Sequence, residues 1–367
     1  MQYLQVLAEG WAGELKNFMN ERQLLEVLHF KTLTIDGNTN VQAVPITLPV
    51  TQEEHDACKD AAAVALRNGA NGKLMAVIKK PEFFTNRKEE VSTRLFGTFS
   101  AKHPKIERIM EQGPFCVSGE RLVVLEKRIV FNDGLDQFRL TPQEIRDQAR
   151  KKNADVLYAF QVRNPLHNGH VLLLQDTRRR LLDQGYKNPV LLLHPLGGWV
   201  KDDDVPLDTR MKQHFTLVED GILDESHTIL AIWPSPMYYG GPAEVMWHVS
   251  SRLNAGVQYF IVGRDPAGVK HPEDASLDLY DPFHGQKVLD IAKPLFKGRV
   301  KILPFKVAAY NKKSEAMEFF DPAKKDDFDF ISGSRMRKVA REGGQLPKGF
   351  MNERGWEVLA NYYKGEQ

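Results

Sequence analysis

An α/β fold built on a parallel sheet, preceded by a β-rich region and followed by a small third domain, is what the sequence predicts, on three observations. Between residues 140 and 303, apolar segments (Val156 to Phe160, Val190 to His194, Thr228 to Ile232, Tyr259 to Val262, Val300 to Leu303) alternate with helical stretches such as Arg210 to Glu219 and Ala243 to Asn254. That alternation is the pattern of βαβ units, whose strands run parallel. Residues 1 to 139 are instead strand-rich with turn punctuation. Leu140-Thr141-Pro142-Gln143-Glu144 marks the change: a threonine cap, a proline at the first helical position and an acidic residue in the first turn. The expected division is 1–139, 140–303 and 304–367.

In the first region, Thr32 to Ile35 leads through Asp36-Gly37-Asn38 into Val41 to Val50, and Phe115 to Val117 leads through Ser118-Gly119-Glu120 into Leu122 to Leu125. Both read as hairpins. The charged run Arg87-Lys88-Glu89-Glu90 reads as a solvated loop. Pro234 to Tyr239 reads as a rigid, partly buried loop and Lys270 to Gly285 as an ordered excursion. The segment after Leu303 ends in a helix from Ser334 and forms the third domain.

Composition narrows the function. The chain has 367 residues, 42% of them hydrophobic and 27% charged, and 50 basic against 48 acidic residues leave a net charge of +2. This is the profile of an ordinary globular protein, with no general attraction for nucleic acid, so any anion site must be local. The two cysteines, Cys58 and Cys116, supply neither a disulfide framework nor a metal cluster. No apolar run is long enough to span a membrane and no basic-apolar leader opens the chain, so no membrane partner is expected and the cytosol is the expected compartment.

The chemistry concentrates in Gln161-Val162-Arg163-Asn164-Pro165-Leu166-His167-Asn168-Gly169-His170, where a buried strand gives way to a loop and a helix start. Leu172, Leu173, Leu174, Leu181 and Leu182 give that helix its apolar face. A helix N-terminus favours an anion such as phosphate through its unpaired N–H groups and its dipole. His167 and His170, three residues apart, share one side of the first turn. Gly169 leaves room beside them, Arg163 brings a planar donor fork, and Gln161 and Asn164 add neutral donors. No carboxylate sits among them, which favours catalysis by positioning and charge stabilisation over paired acids. A plain helix cap would also account for a pair of histidines, but not for the company they keep.

Two further loops follow strands and can converge with this turn beyond the strand ends. They are His194-Pro195-Leu196-Gly197-Gly198 and Gly263-Arg264-Asp265-Pro266-Ala267-Gly268. In the second, Asp265 can fix the loop while Arg264 supplies charge. Lys201-Asp202-Asp203-Asp204 reads as a solvated loop, because adjacent carboxylates cannot all face one ion. His214, His248, His271 and His284 are too scattered for zinc, and no residue is assigned to a metal. Ser332-Gly333-Ser334 ahead of Arg335 and Arg337 suits either a second anion-binding helix start or a plain cap.

The decapeptide from Gln161 to His170 resembles the signature of the ATP sulfurylase (sulfate adenylyltransferase) family, one of the nucleotidyltransferases that carry a His-x-x-His or His-x-Gly-His turn. Leu7-Ala8-Glu9-Gly10-Trp11-Ala12, the His194 to Gly198 and Gly263 to Gly268 loops, Asp203-Asp204-Val205-Pro206 and Ile331 to Arg337 follow in family order, so the resemblance covers nearly the whole chain. The plant and animal branch fits best, including the sulfurylase half of the animal enzyme that makes 3′-phosphoadenylyl sulfate. The resemblance implies a Rossmann-like nucleotidyltransferase domain, preceded by a β-rich PUA-like domain and followed by a small C-terminal α/β domain.

It further implies the reaction of ATP, as its Mg2+ complex, with sulfate to give adenosine 5′-phosphosulfate and pyrophosphate. Sulfate would contact Gln161, Arg163 and the Ala267 backbone. ATP would contact Gln161, Val162, Arg163, Asn164, His167, His170, Gly263, Arg264, Asp265, Pro266 and Ala308. Arg163, Asn164, His167, His170 and Arg264 would carry the catalysis. A homodimer is expected, with an adenylyl-sulfate kinase, fused or separate, as a further partner. Family members carry a longer stretch before the Leu7 to Ala12 segment, so a lost kinase domain or plastid transit peptide is a further expectation. Two rival readings remain: adenylyl transfer to another acceptor, nicotinamide mononucleotide or phosphopantetheine, and RNA binding through the PUA-like region.

Overall fold

The computed structural model describes residues 1–126, 128–331 and 333–365. By contact density the chain divides into two compact units, each assembled from three stretches: Met1–Glu144, Pro234–Val257 and Arg264–Ile302 in one, Ile145–Trp233, Gln258–Gly263 and Leu303–Gln367 in the other.

The first unit opens with α1 (Gln2–Glu9) and α2 (Glu21–Phe30), the latter started by a capping box in which Asn20 and Gln23 serve each other's backbone. The first expected hairpin forms from β1 (Thr32–Ile35) and β2 (Asn38–Val41), joined by Asp36 (φ 48°) and Gly37 (φ 77°), as a twisted two-residue turn requires. Its second strand begins at Asn38, within the expected turn, and ends at Val41; of the expected Val41 to Val50 only Pro49–Val50 is otherwise strand. The chain then adds β3 (Pro49–Val50), α3 (Gln52–Cys58), β4 (Ala63–Arg67), β5 (Leu74–Thr85), α4 (Lys88–Phe96), α5 (Pro104–Met110) and β6 (Phe115–Val124). Strands β3, β6, β5 and β4 form an antiparallel sheet in that order.

Two expectations fail here. Ser118-Gly119-Glu120 is not a turn but the middle of β6: a Cβ on Gly119 would lie 2.5 Å from Ile78 Cγ2 and 2.7 Å from the Lys79 carbonyl oxygen. The glycine serves the close approach of the neighbouring strand rather than a reversal. The charged run at Arg87 is not a loop either, since it starts α4, and Lys88 Nζ donates to the Met110 carbonyl at 2.9 Å.

At the expected boundary, the Thr141 hydroxyl accepts the Glu144 N–H at 3.2 Å and the Glu144 carboxylate accepts the Thr141 N–H at 2.8 Å, opening α6 (Pro142–Lys151). The second unit then lays down β7 (Val156–Val162), α7 (Asn168–Asp183), β8 (Pro189–Pro195), α8 (Leu207–Glu219) and β9 (Thr228–Leu230). After the loop Pro234 to Gly240, which belongs to the first unit, come α9 (Gly241–Asn254), β10 (Tyr259–Val262), α10 (His284–Ile291) and β11 (Lys301–Pro304). That loop is fully buried, and the Glu244 carboxylate accepts the N–H groups of Tyr238 and Gly240 at 2.9 and 3.0 Å.

All five strands expected between residues 140 and 303 form one sheet in the order β11, β10, β7, β8, β9, and the pairs β10–β7, β7–β8 and β8–β9 are parallel. Strands β7, β8 and β10 are nearly wholly apolar and buried, as in a sheet covered on both faces, whereas β11 at the edge keeps Lys301 and Pro304 exposed. Leu173, Leu174 and Leu181 of α7 pack with Val156, Tyr158, Phe160, Leu191, Leu193 and Ile261 in one buried cluster. Leu182, counted in the apolar face, is 37% exposed and lies off that stripe. The chain order reverses between β7 and β10, and the crevice beyond the carboxyl ends of two such strands is where parallel sheets hold ligands. After Leu303, β12 (Ala308–Asn311), β13 (Ala316–Phe319) and β14 (Phe328–Asp329) make a three-stranded sheet, and α11 (Gly333–Arg341) and α12 (Glu353–Lys364) close the chain.

Candidate active site

The turn after β7 is held by its own histidines. His167 is the N-cap of α7 in extended backbone (φ −117°, ψ 169°). Its Nδ1 accepts the Gly169 N–H at 3.1 Å, and His170 Nδ1 accepts the His167 N–H at 3.2 Å. Two imidazoles thus make a capping box, work usually done by Ser or Thr with Glu or Gln. A ring nitrogen that accepts carries no proton, so each neutral ring bears its proton on Nε2. Burial pushes both groups down, His170 to about 4, and the neighbouring His170 depresses His167 further. Near neutral pH the turn therefore presents two uncharged rings, each with a donor at Nε2.

The glycine between them has a different reason from the one the sequence suggests. A Cβ on Gly169 would lie 2.6 Å from Met317 Cε and 2.9 Å from His167 Cε1. The space is filled by the His167 ring itself and by β13, not kept open for a ligand. Asn168 ties the helix start to the C-terminal segment, donating from its backbone N–H to the Phe350 carbonyl and from Nδ2 to the Gly349 carbonyl, both at 2.9 Å. The Phe350 ring lies 5.0 Å from that of His167. Beneath the turn, Gln213 of α8 is completely buried; its Nε2 donates to the Leu166 carbonyl at 2.8 Å and its Oε1 accepts the Leu166 N–H at 3.0 Å. Nothing in the sequence marks Gln213, since a glutamine on an amphipathic helix ordinarily faces water.

The acidic run after Lys201 is a loop whose Asp202 and Asp203 are exposed as expected, but Asp204 is not solvated. The Asp204 side chain is 2% exposed, with Oδ2 4.0 Å from Arg163 Nε and Oδ1 4.0 Å from Lys201 Nζ and 3.8 Å from Arg337 Nη1. Asp203 meets Lys201 and approaches Arg337 Nη2 at 3.6 Å. Arg163, Lys201 and Arg337 thus meet at one carboxylate, and Arg337 Nη1 in turn donates to Asn164 Oδ1 at 3.4 Å. Of the Ser332-Gly333-Ser334 start, Ser332 and the Ser334 side chain lie outside the described residues. Gly333 packs against the pair: a Cβ there would be 3.3 Å from Asn164 Nδ2 and 3.5 Å from Arg337 Nη1.

The remaining expected residues divide between the two units. In the second, Gln161 lies within β7 opposite His194, one residue before the strand ends. Val162 sends its side chain into the core cluster, and its carbonyl accepts the Leu196 N–H at 3.0 Å. Gly263 follows β10, whose Ile261 pairs with Phe160, and a Cβ on it would lie 2.2 Å from Phe305 Cε1. Ala308 begins β12, the strand paired with β13 and its Met317. In the first unit, the loop from Arg264 turns through Asp265 (φ 50°), whose carboxylate occupies the space where a Cβ on Gly268 would stand. The Asp265 carboxylate thus lies across its own loop, against Gly268. Ala267 is completely buried and its carbonyl accepts the Gly241 N–H at 3.0 Å. Among the described residues no group of three or more His, Cys, Asp or Glu is placed to hold a metal ion, and no helix is long and apolar enough to cross a membrane.

Known proteins resemble this chain along its whole length. Residues 136–362 match the family model described as ATP-sulfurylase and residues 1–127 match that of a PUA-like domain. The chain is 48% identical over 372 residues to ATP sulfurylase 2 of Arabidopsis thaliana, covering 100% of this chain and 76% of the relative. It is also 48% identical over 365 residues to ATP sulfurylase 4, chloroplastic, of the same organism, covering 99% and 76%. Among solved structures, a hexameric APS kinase from Thiobacillus denitrificans superposes with a TM-score of 0.67 at 19% identity, over 99% of this chain but 60% of that one, a likeness of fold. With the family match spanning more than half its length, and two relatives 48% identical over nearly all of it, the chain belongs to the ATP-sulfurylase family.

Proposed function

We propose that the protein transfers AMP from ATP to inorganic sulfate, giving adenosine 5′-phosphosulfate and pyrophosphate by in-line attack of a sulfate oxygen on the α-phosphorus. The observation that carries this reading is the pair of neutral imidazoles whose Nδ1 atoms are engaged in the cap, which leaves Nε2–H as the group each can offer a ligand. Such rings donate to oxygens that gain charge in the transition state and do not remove a proton. That suits sulfate, a dianion with no proton to lose.

His167 and His170 donate to α- and β-phosphate oxygens. Gln161 and Arg163 hold sulfate with the Ala267 backbone, and Arg163 offsets the repulsion between two anions. Asn164 and Arg264 orient the phosphates, while Val162, Gly263, Asp265 and Pro266 contact the nucleotide and Ala308 does so through its backbone. Mg2+ arrives bound to the phosphates of ATP and screens their charge. The carboxylates nearest the turn, Asp203 and Asp204, are already matched by Arg163, Lys201 and Arg337. We place the functional division at 1–139, 140–303 and 304–367, in keeping with a PUA-like match that ends at 127 and a sulfurylase match that begins at 136. A homodimer working beside an adenylyl-sulfate kinase, in the cytoplasm or, as the name of one relative suggests, the plastid, completes the reading.

The deciding experiment is sulfate-dependent exchange of labelled pyrophosphate into ATP. Selenate should replace sulfate, and molybdate should release AMP, because its mixed anhydride hydrolyses. AMP transfer that ignored these oxyanions and required an organic phosphate would overturn the reading in favour of another acceptor.

A further inference from the structure

We propose that Asp204 is a positioning residue for the anion-binding turn: its buried carboxylate fixes the guanidinium groups of Arg163 and Arg337 and, through Arg337, the amide of Asn164. The inference rests on the adenylyl-transfer reading and extends it to residues that touch no substrate.

Geometry makes the argument. The Asp204 oxygens stand 3.8 to 4.0 Å from Arg163 Nε, Lys201 Nζ and Arg337 Nη1, longer than the usual direct hydrogen bond to a carboxylate. One carboxylate is therefore approached by three cations. At 2% exposure it has little water to lean on, and a buried carboxylate persists only with such partners. Asp204 engages Arg163 on the Nε side, which biases the orientation of the whole planar group. Arg337, 8% exposed at its side chain, bridges Asp204 to Asn164 Oδ1. With its oxygen taken, the Asn164 amide keeps Nδ2 as the group to offer a phosphate. The positions of two residues assigned to the anions thus depend on one aspartate that the chain delivers from a different loop.

A rival role for Asp204 is simple dilution of positive charge, and the two roles predict opposite signs. If Asp204 only offset charge, Asp204→Asn would make the turn more cationic and lower KM for sulfate and ATP. If it positions, Asp204→Asn raises KM for sulfate and lowers kcat, because an ångström of misplacement at the reacting groups is worth up to roughly a hundredfold in rate. A merely structural role would lower the melting temperature without this split.

The test compares Asp204→Asn, Asp204→Glu, Arg337→Gln and the Asp204→Asn/Arg337→Gln double variant in the full chain, by pyrophosphate exchange, KM for sulfate and ATP, and thermal melting. We expect Asp204→Asn to lose roughly tenfold to a hundredfold in kcat/KM for sulfate. Asp204→Glu, which keeps the charge but moves it, should fall between that variant and wild type. The double variant should lose less than the product of the single losses, as residues acting in one chain do. Should Asp204→Asn not fold, Asp204→Glu decides: reduced kcat in folded protein supports the proposal and wild-type kinetics overturns it. Unchanged or lowered KM with intact kcat in Asp204→Asn overturns it as well. Wild-type activity tests the sulfate reading separately. If wild type shows no sulfate-dependent exchange, calorimetry with inorganic pyrophosphate compares the same proteins: weaker binding by Asp204→Asn supports positioning, and equal or tighter binding refutes it.

Discussion

The rings of His167 and His170 stack with centroids 3.8 Å apart and 29° between their planes, each spending Nδ1 on the start of its own helix. On the proposed reading, cap and catalyst, which the sequence posed as alternatives, are two atoms of one ring. Alanine would remove both functions at once, but side chains that cap well without an imidazole separate them. His167→Asn keeps an oxygen acceptor at the N-cap, where asparagine ranks among the best residues, and His170→Gln keeps the N3 partner of a capping box. Both variants should melt near wild type while kcat falls on the order of a hundredfold, the usual loss for one transition-state donor. Thermal melts with steady-state kinetics decide it, and an unchanged kcat in either variant would remove that ring from the chemistry.

The same burial sets a pH dependence. In the unfolded chain an imidazole protonates near pH 6.5, whereas His170 does so only at about 4 in the fold, His214 at about 3, and His167 well below its usual value. Below pH 6.5 the unfolded chain binds more protons than the folded one, so this part of the stability is complete above pH 6.5 and drains away toward pH 4. Melting temperature should fall over that window, and less steeply in His170→Gln. Turnover should not show a loss with an apparent pKa near 6.5. Such a loss would mean that a histidine of the turn titrates freely, contrary to its placement.

Gly169→Ala tests the packing of the turn. The added methyl meets Met317 Cε, the far end of a flexible side chain that can give way, and the His167 ring, which cannot without leaving its cap. The expected result is a small change in melting temperature with a clear loss of kcat. A large loss of stability with normal turnover in the folded fraction would show that Met317, not His167, is the rigid neighbour.

How far the sequence could be read depended on whether a residue's partner was near it in the chain. The five strands of the β7 sheet, the Thr141 and Glu144 box and the Asp36-Gly37 turn were legible because periodicity, capping and turn chemistry are local. Gly119 was misread because a glycine demanded by the neighbouring strand, at Ile78 and Lys79, looks the same as one demanded by a turn. Asp204 was missed for a related reason. Three aspartates in a row look solvated until Arg163 and Arg337, from remote stretches, are seen to enclose one of them.

Gln213 was the least visible residue of all, and its replacement gives the sharpest test of what holds the turn. Gln213→Leu removes both bonds to Leu166, which is itself fully buried, and strands that residue's N–H and carbonyl without water. Each stranded group costs about 1–3 kcal/mol, so a lowered melting temperature is expected before any effect on the chemistry. Gln213→Glu is more revealing. Ionised, it keeps the acceptor but buries a charge and loses the donor; protonated, its O–H can donate to the Leu166 carbonyl and restore both bonds. Burial raises the folded-state pKa of such a carboxyl above its unfolded value, so the penalty is absent below the unfolded pKa and grows as pH rises through the folded one. Measured against wild type at each pH, to cancel the histidine contribution, the deficit of Gln213→Glu should shrink on acidification from pH 8 to pH 5 while that of Gln213→Leu stays constant. A deficit in Gln213→Glu that ignored pH would mean that the two bonds to Leu166 do not brace the turn.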